Sequence, residues 1–271
     1  MDTMTLAALQ MVSGPDVAEN METVERLVAQ AVAGGAQLVL LPEYFCLMGS
    51  SDRDKLFIDE QPGEGPIQAF LADCARRHGV VLIGGTLPLT TRKPNKVFNS
   101  CLVYGPDGRQ LARYDKIHLF GFQRGSESFN ESATILPGRT PVVVDVPFGE
   151  SSLRVGLSVC YDLRFPELYR AMSPVDLIVV PAAFTYTTGE AHWSLLLRAR
   201  AVENQCWVLA SAQGGVHPSG RRTWGHSMLI DPWGEVVAQL PEGEGVVLGT
   251  LDRARTAEVR QSLPALKHRV L

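Results

Sequence analysis

The sequence predicts an α/β fold in which layers of β-sheet are covered by helices. Strand-like and helix-like stretches alternate along the whole chain, as expected of β-α-β units. Hairpin signals interrupt this alternation, so we expect more antiparallel pairing than in a Rossmann sheet. The 271 residues contain no repeat of 20–50 residues and no linker rich in Gly, Ser or Pro. We therefore expect a single domain over residues 1–271.

Two helices and five strands are predicted in the first half. The first helix carries apolar residues at helical spacing between residues 17 and 31 and stops at Gly34-Gly35; the second covers residues 66–78. Apolar runs predict strands at residues 4–11, 36–41, 80–86, 97–104 and 109–114. The Asp107-Gly108 dipeptide predicts a hairpin between the last two. Residues 114–139 lack a steady period and are expected to form a long polar loop, a type that is usually functional or disordered.

The second half repeats this pattern. Helices are predicted from residue 166 to 172 and from 190 to 204, where Trp193, Leu196, Leu197 and Ala201 share one stripe. Strands are predicted at residues 141–146, 153–159, 176–181, 206–211, 225–230, 234–239 and 246–251. The Asp231-Pro232-Trp233-Gly234 segment predicts a further tight turn.

Composition excludes several classes of function. With 25 basic and 29 acidic residues, the net charge of −4 offers no electrostatic footprint for nucleic acid. No apolar run approaches the ~18 residues that a membrane helix needs. No Lys or Arg precedes Arg26, which disfavours a secretory signal.

The cysteines indicate a reducing compartment. Their number is odd, their spacing is wide and no C-x-x-C occurs, which argues against a disulfide scaffold and for the cytosol. The six histidines form no H-x-x-x-H pair and show no Cys partner at ligand spacing, so we expect no metal site. We expect four cysteines to be small buried hydrophobic residues: Cys46, Cys74, Cys101 and Cys206.

Three reactive side chains follow predicted strands. Glu43 comes directly after the apolar run L-V-L-L-P, Lys116 follows strand 109–114, and Cys160 ends L-R-V-G-L-S-V-C. Ligand sites of open α/β sheets collect at the carboxyl ends of strands. Taken alone, each residue also has a structural interpretation, as a loop acid, a solvated lysine or a packed thiol.

Together, the three residue types can perform acyl transfer. A cysteine near neutral pH is mostly thiol, so a nucleophilic Cys160 needs a base, and a partly buried Glu43 can take its proton. The Lys116 ammonium and the backbone N–H of Tyr161 can stabilise a tetrahedral oxyanion. The helix that starts after Cys160 adds a favourable dipole.

Three motifs resemble the nitrilase, or carbon–nitrogen hydrolase, superfamily. They are L-P-E-Y (41–44), Y-D-K-I-H (114–118) and G-L-S-V-C-Y-D-L-R-F-P-E-L (156–168). The resemblance implies a four-layer αββα sandwich, with two mixed sheets covered by helices and a Glu-Lys-Cys triad. It implies that Glu43 is the general base and acid, Lys116 the oxyanion stabiliser and Cys160 the nucleophile. Glu131, in F-N-E-S, is implied to orient the lysine and the substrate. The resemblance implies no cofactor.

Four further segments resemble the deaminated glutathione amidase branch: G-E-A-H-W (189–193), L-R-A-R-A-V-E-N-Q (197–205), A-Q-G-G (212–215) and W-G-H-S-M-L-I-D-P-W-G (224–234). This implies cleavage of deaminated glutathione to 2-oxoglutarate and cysteinylglycine, a metabolite-repair reaction, through a cysteine thioester. Omega-amidases share D-P-W-G, so the alternative is hydrolysis of 2-oxoglutaramate or another small aliphatic amide. A non-catalytic α/β binding protein is a further alternative. Relatives commonly pair, which implies a homodimer or higher homo-oligomer.

Substrate contacts follow from the implied substrate. Deaminated glutathione carries two carboxylates, so its pocket should offer cations or backbone donors. Arg124, Arg221 and Arg222 lie in predicted loops and are candidates, while Tyr44 and Phe184 are candidate walls of the acyl slot. Ser158 falls in G-L-S-V-C, which lacks the last glycine of a G-x-S-x-G motif, and we expect it to be a packing residue.

Overall fold

The computed structural model describes residues 2–125 and 127–270. The helices are α1 (Val17–Ala33), α2 (Pro66–His78), α3 (Pro166–Met172), α4 (Tyr186–Asn204) and α5 (Arg253–Ser262). The strands are β1 (Thr3–Gln10), β2 (Leu38–Leu40), β3 (Val81–Ile83), β4 (Leu87–Thr90), β5 (Val97–Tyr104), β6 (Gln110–Asp115), β7 (Gly121–Arg124), β8 (Glu127–Asn130), β9 (Val142–Phe148), β10 (Ser151–Leu157), β11 (Leu177–Ala182), β12 (Trp207–Ala212), β13 (Gly214–Val216), β14 (Arg222–Trp224), β15 (Ser227–Ile230), β16 (Val236–Leu240) and β17 (Gly245–Asp252).

Two mixed sheets form the centre of the fold. In the first, β1, β2 and β3 run parallel, while β17 and β5 pair antiparallel at either side and β5 also pairs with β4 and β6. In the second, β10, β11 and β12 run parallel, and β9, β15 and β16 continue the sheet antiparallel. The expected mixture of parallel and antiparallel pairing is confirmed.

The two sheets pack face to face, and helices cover their outer faces. Alternate residues of β1, such as Leu6, join Val155 and Val179 of the second sheet in one core. Opposite residues of β1, such as Leu9, pack instead with α1 and α2. Trp193 of α4 belongs to the core of the second sheet. This arrangement gives the four layers of an αββα sandwich, because central strands such as β2, β3, β11 and β12 bury both of their faces.

The structure corrects the expected loop at residues 114–139, of which residue 126 lies outside the described residues. This segment contains the hairpin β7–β8 and a 3₁₀ turn at Glu131–Ala133. The hairpin escaped sequence analysis because its strands are short and mostly exposed, so they carry no clear alternation of apolar and polar residues.

Other elements differ more modestly from the expectation. Helix α4 begins at Tyr186 instead of residue 190, because the Thr185 hydroxyl caps it by accepting from the Thr188 amide. Helix α5 was not predicted, since only Thr256 and Val259 are buried and its apolar stripe is narrow. The short strands β4, β13 and β14 were also missed. Within the described residues, no helix combines the length and apolarity needed to cross a bilayer.

Candidate active site

Glu43, Lys116 and Cys160 meet at one end of the two sheets. Glu43 follows β2, Lys116 directly follows β6, and Cys160 begins a 3₁₀ turn after β10. Glu43 and Lys116 are fully buried, and Cys160 is 7% exposed. The first two come from one sheet and the third from the other, so face-to-face packing of the sheets is what brings these distant residues together.

The Lys116 ammonium lies between two carboxylates. Its Nζ atom is 2.9 Å from Oε1 of Glu43, 2.9 Å from Oε1 of Glu131 and 2.8 Å from Oε2 of Glu131. Burial by itself lowers the pKa of Lys116, but the negative charges of Glu131 and Glu43 outweigh it and raise that pKa. The lysine therefore stays charged at neutral pH.

Glu43 is held by residues that sequence analysis did not identify. The side-chain amide of Asn99 donates to Oε1 at 3.0 Å, and the backbone N–H of Ala183 donates to Oε2 at 2.9 Å. With the bond from Lys116, these contacts orient the carboxylate. The only signal for Asn99 was a polar residue within the largely apolar strand β5.

The charges of Glu43, Lys116 and Glu131 all act on the Cys160 thiol, so these three groups surround it. Burial, followed by the negative charge of Glu43, raises the pKa of this thiol well above its ordinary value. The resting sulfur is therefore protonated, and Glu43 is positioned to take its proton. Cys160 also has φ of 51°, a left-handed conformation that is strained for a residue with a Cβ atom.

Asp162 holds the turn that carries Cys160. Its buried carboxylate accepts hydrogen bonds from the Tyr114 hydroxyl at 2.7 Å, the Val159 amide at 2.9 Å and the His118 amide at 3.0 Å. The His118 ring nitrogen Nδ1 lies 2.7 Å from the same carboxylate. Asp162 was visible in the motif after Cys160, but nothing in the sequence indicated these partners.

Glu131 and Tyr44 extend the network of charges. The Tyr44 hydroxyl donates to Oε1 of Glu131 at 2.8 Å, and the backbone N–H of Phe120 donates to Oε2 at 2.7 Å. Burial tends to raise the pKa of Glu131, but Lys116 and these donors hold it below its ordinary value. Glu131 is therefore an anion that keeps Lys116 in place.

Two hollows open beside these residues. The smaller, of about 210 Å³, is lined by Cys160, Tyr161, Phe184 and Phe120 among others. The larger, of about 500 Å³, is open to solvent and is lined by Tyr44, Glu131 and Phe120 with further residues. Phe120 borders both hollows and thus lies between the thiol and the larger of the two.

The three candidate arginines have different positions. Arg221 lines the larger hollow. Arg222 is not in a loop but in β14, where it pairs with Glu242 at 3.0 Å and lies over the Tyr186 ring at 3.7 Å. Arg124 is exposed in β7, another position that was expected to be a loop. The hairpin and the short strand were missed, so these two positions were wrongly predicted.

Ser158 is buried and donates to the backbone oxygen of Val179 at 2.9 Å, which confirms a packing role. The expectation that no histidine has a Cys partner at ligand spacing was wrong, because Cys74 and His78 lie four residues apart. Potential ligand atoms of Glu25, Cys74 and His78 lie within 4.8 Å of one another, because residues four apart on α2 share a face. The Arg77 guanidinium already holds both oxygens of Glu25.

Comparison with known proteins identifies the family. The chain is 42% identical to deaminated glutathione amidase of Synechocystis over 97% of both chains. It is 37% identical to omega-amidase NIT2 of Danio rerio, over 99% of this chain and 95% of that protein.

Solved structures agree with this similarity. Nit3 of Saccharomyces cerevisiae, described as a member of branch 10 of the nitrilase superfamily, matches with a TM-score of 0.89 and 29% identity over 100% of this chain and 97% of that one. A mutant amidase from Nesterenkonia, in which acrylamide has added to the active-site cysteine, matches with a TM-score of 0.78 and 27% identity over 97% and 99% of the two chains. The carbon–nitrogen hydrolase model covers residues 5–261. The chain belongs to the carbon–nitrogen hydrolase family and is a hydrolase of carbon–nitrogen bonds in linear amides.

Proposed function

We propose that the protein is an amidase that cleaves a linear ω-amide through a thioester on Cys160. The observation that carries this proposal is the buried Cys160 thiol beside the carboxylate of Glu43, which in turn bonds the Lys116 ammonium at 2.9 Å. A nucleophile, a base and a fixed cation are the groups that acyl transfer to a thiol requires.

In the first half of the reaction, Glu43 takes the thiol proton as the sulfur of Cys160 attacks the amide carbon. The oxyanion that forms accepts hydrogen bonds from Lys116 and from the Tyr161 backbone N–H. Tyr161 lies in the first turn of a 3₁₀ helix, where an amide N–H has no acceptor within the helix. Lys116 can turn one N–H to the oxyanion, because it contacts both oxygens of Glu131. Glu43 then protonates the departing nitrogen, and the C–N bond breaks.

In the second half, Glu43 takes a proton from water as the water oxygen attacks the thioester carbonyl. The C–S bond breaks, the carboxylic acid leaves, and the sulfur regains its proton from Glu43. Glu131 holds Lys116 in place throughout. No metal or cofactor takes part in any of these steps.

The proposed substrate is deaminated glutathione, cleaved to 2-oxoglutarate and cysteinylglycine as a metabolite-repair reaction. A sequence identity of 42% to a deaminated glutathione amidase supports this choice. The second candidate is 2-oxoglutaramate or another small aliphatic amide, supported by 37% identity to an omega-amidase. Comparing kcat/KM for the two amides separates the candidates.

The proposed setting is the reducing cytosol, with the chain acting as one catalytic domain within a homodimer or larger homo-oligomer. Five free cysteines support a reducing compartment. The net charge of −4 supports a small-molecule substrate in place of nucleic acid, and no membrane partner is proposed. Size-exclusion chromatography with light scattering measures the subunit number.

The test is hydrolysis of a panel of dicarboxylic ω-amides by the wild type, Glu43→Gln and Cys160→Ala. We expect Cys160→Ala to abolish turnover and the wild type to show a covalent acyl adduct by mass spectrometry. Glu43→Gln should lower kcat by about 10²–10⁴-fold, as expected for loss of a general base. Cys74→Ala, a buried cysteine on α2, is the matched control and should retain activity. Full turnover by Cys160→Ala would eliminate the mechanism, and no turnover by the wild type would favour a non-catalytic binding protein.

A further inference from the structure

We propose that Lys55 and Arg221 form a carboxylate-binding site in the larger hollow and select ω-amides whose acyl chain ends in a carboxylate. This inference rests on the proposed amidase function and concerns how the site chooses its substrate. Lys55 was not a candidate from the sequence. Both residues line the hollow that also borders Tyr44 and Glu131.

Lys55 places a largely buried ammonium in this hollow, and its one ion pair among the described residues, with Asp52, is long. Its side chain is 14% exposed, and its nearest carboxylate, that of Asp52, is 3.8 Å away and 60% exposed. The ammonium donates to the Asp52 backbone oxygen at 2.7 Å and reaches the Thr134 hydroxyl at 3.5 Å. Burial lowers the pKa of Lys55, so the protein does not fully compensate its charge.

Arg221 is also incompletely paired. Its buried Nε atom has no hydrogen-bond partner among the described residues. Nη1 contacts the Met48 sulfur at 3.7 Å, and Nη2 donates to the backbone oxygen of Ala183 at 3.3 Å. The guanidinium lies over the Phe129 ring, with 5.3 Å to its centroid. Neither a thioether nor a carbonyl supplies the negative charge that a guanidinium prefers to bind.

The acidic residues around the hollow do not neutralise these two cations. Glu131 is engaged by Lys116, by the Tyr44 hydroxyl and by the Phe120 amide. Asp52 is the other carboxylate in the lining, and it is mostly solvated. Lys55 and Arg221 repel each other, since the charge of Arg221 lowers the pKa of Lys55. A carboxylate between them would remove this repulsion and give both cations a partner.

The position of the cations suits a short dicarboxylic acyl chain. Lys55 lies over the Tyr44 ring, 5.6 Å from its centroid, and the hydroxyl of the same tyrosine bonds Glu131. Arg221 bonds the Ala183 oxygen, and the Ala183 amide bonds Glu43. A single residue thus separates Lys55 from Glu131, and a single residue separates Arg221 from Glu43. On this proposal, an acyl chain attached to Cys160 extends past Phe120, which borders both hollows, and its far carboxylate reaches Lys55 and Arg221.

The test compares two amides of equal chain length, glutaramate and pentanamide, which differ in the terminal carboxylate. Lys55→Met and Arg221→Met should each lower kcat/KM for glutaramate by about 10–100-fold, mainly through KM, because a charge-assisted bond is lost. Their kcat/KM for pentanamide should fall much less, so the preference of the enzyme for glutaramate over pentanamide should be lost. Lys55→Arg should retain the preference for glutaramate. The charge-matched control is Arg109→Met in the β5–β6 turn, whose side chain is 86% exposed.

A second measurement does not depend on turnover. Glutarate should slow alkylation of Cys160 by iodoacetamide in the wild type, and should protect it much less in Lys55→Met and Arg221→Met. Melting temperatures identify variants that do not fold. If a Met variant does not fold, the preference for glutaramate over pentanamide in Lys55→Arg and in the wild type tests the carboxylate site. Equal losses for both amides, or a wild type that does not distinguish them, would overturn the carboxylate site while leaving the amidase proposal intact. A wild type that hydrolyses neither these two amides nor deaminated glutathione would instead overturn the proposed function.

Discussion

The Nζ atom of Lys116 lies 2.9 Å from Oε1 of Glu43, and neither side chain is more than 1% exposed. Glu131 shares the same ammonium from another side, at 2.8 Å. One buried cation thus serves two carboxylates, which explains why its pKa is raised in spite of burial. Groups in such a network depend on one another, because removing one partner leaves another charge buried and unpaired.

Replacing Lys116 tests that dependence. Lys116→Met leaves two carboxylates without their shared cation, so we expect a loss of about 3–5 kcal/mol in the free energy of unfolding. Turnover should fall by at least about 10²-fold, because an oxyanion donor is also removed. Urea unfolding and amide hydrolysis measure the two effects, with exposed Lys93→Met as the control. Adding Glu131→Gln should restore part of the stability; a double variant no more stable than Lys116→Met would contradict the network.

Tyr44→Phe tests the hydroxyl that donates to Glu131. This change removes one of several bonds to the carboxylate, so we expect the fold to persist and stability to fall by about 1.5–3 kcal/mol. The bond from Tyr44 lowers the pKa of Glu131, so its removal should raise that pKa. Glu131 would then protonate at higher pH, and the acid limb of the kcat profile should move upward. An unchanged acid limb would show that protonation of Glu131 does not control kcat.

Asp162→Asn tests the support of the Cys160 turn. The carboxylate accepts from Tyr114, Val159 and His118, and an amide replaces one acceptor oxygen with a donor that faces these donors. We expect a loss of at least about 2 kcal/mol in stability, and a fall in kcat as the turn shifts. Asp107→Asn, in an exposed turn, is the control. Unchanged stability and kcat would show that the turn holds its shape without this carboxylate.

Gly85 lies close to the segment that carries Glu43. It has φ of 50°, and a Cβ atom at this position would collide with the backbone oxygen of Pro42. Gly85→Ala should therefore lower stability by about 1–3 kcal/mol and reduce kcat by displacing Glu43. Gly63 also has a positive φ, but an added Cβ atom would meet nothing within 4 Å. Gly63→Ala therefore measures the cost of positive φ for alanine without a collision. Equal effects of the two substitutions would exclude the collision as the cause.

The ion pairs of Glu25 make the free energy of unfolding depend on pH in the acid range. The bond from Arg77, together with His78, lowers the pKa of Glu25 from 4.5 to about 2. Its contribution is therefore complete above pH 4.5 and is lost as the pH falls towards 2. The contribution is small, because the side chain is 34% exposed. Melting curves from pH 7 to 2.5 should fall less steeply for Glu25→Gln than for the wild type; parallel curves would contradict this assignment.

The sequence predicted the layered α/β class and most of its strands because these depend on local patterns of apolar residues and turns. It also indicated Glu43, Lys116 and Cys160, since each follows a strand and falls in a family motif. The hairpin β7–β8 was missed because its pattern is weak, and the positions expected for Arg124 and Arg222 were therefore wrong.

Local sequence patterns could not predict which residues hydrogen-bond to the side chains of the candidate site. Asn99, Ala183 and Asp162 contact residues 56, 140 and 48 positions away along the chain, and Lys55 shares a hollow with Arg221 from the other end of the sequence. The sequence by itself determined most of the elements and the kinds of reactive groups, because periodicity and turn chemistry act over short distances. Only the packing of two sheets decided which groups touch, because that packing depends on the burial of many side chains at once.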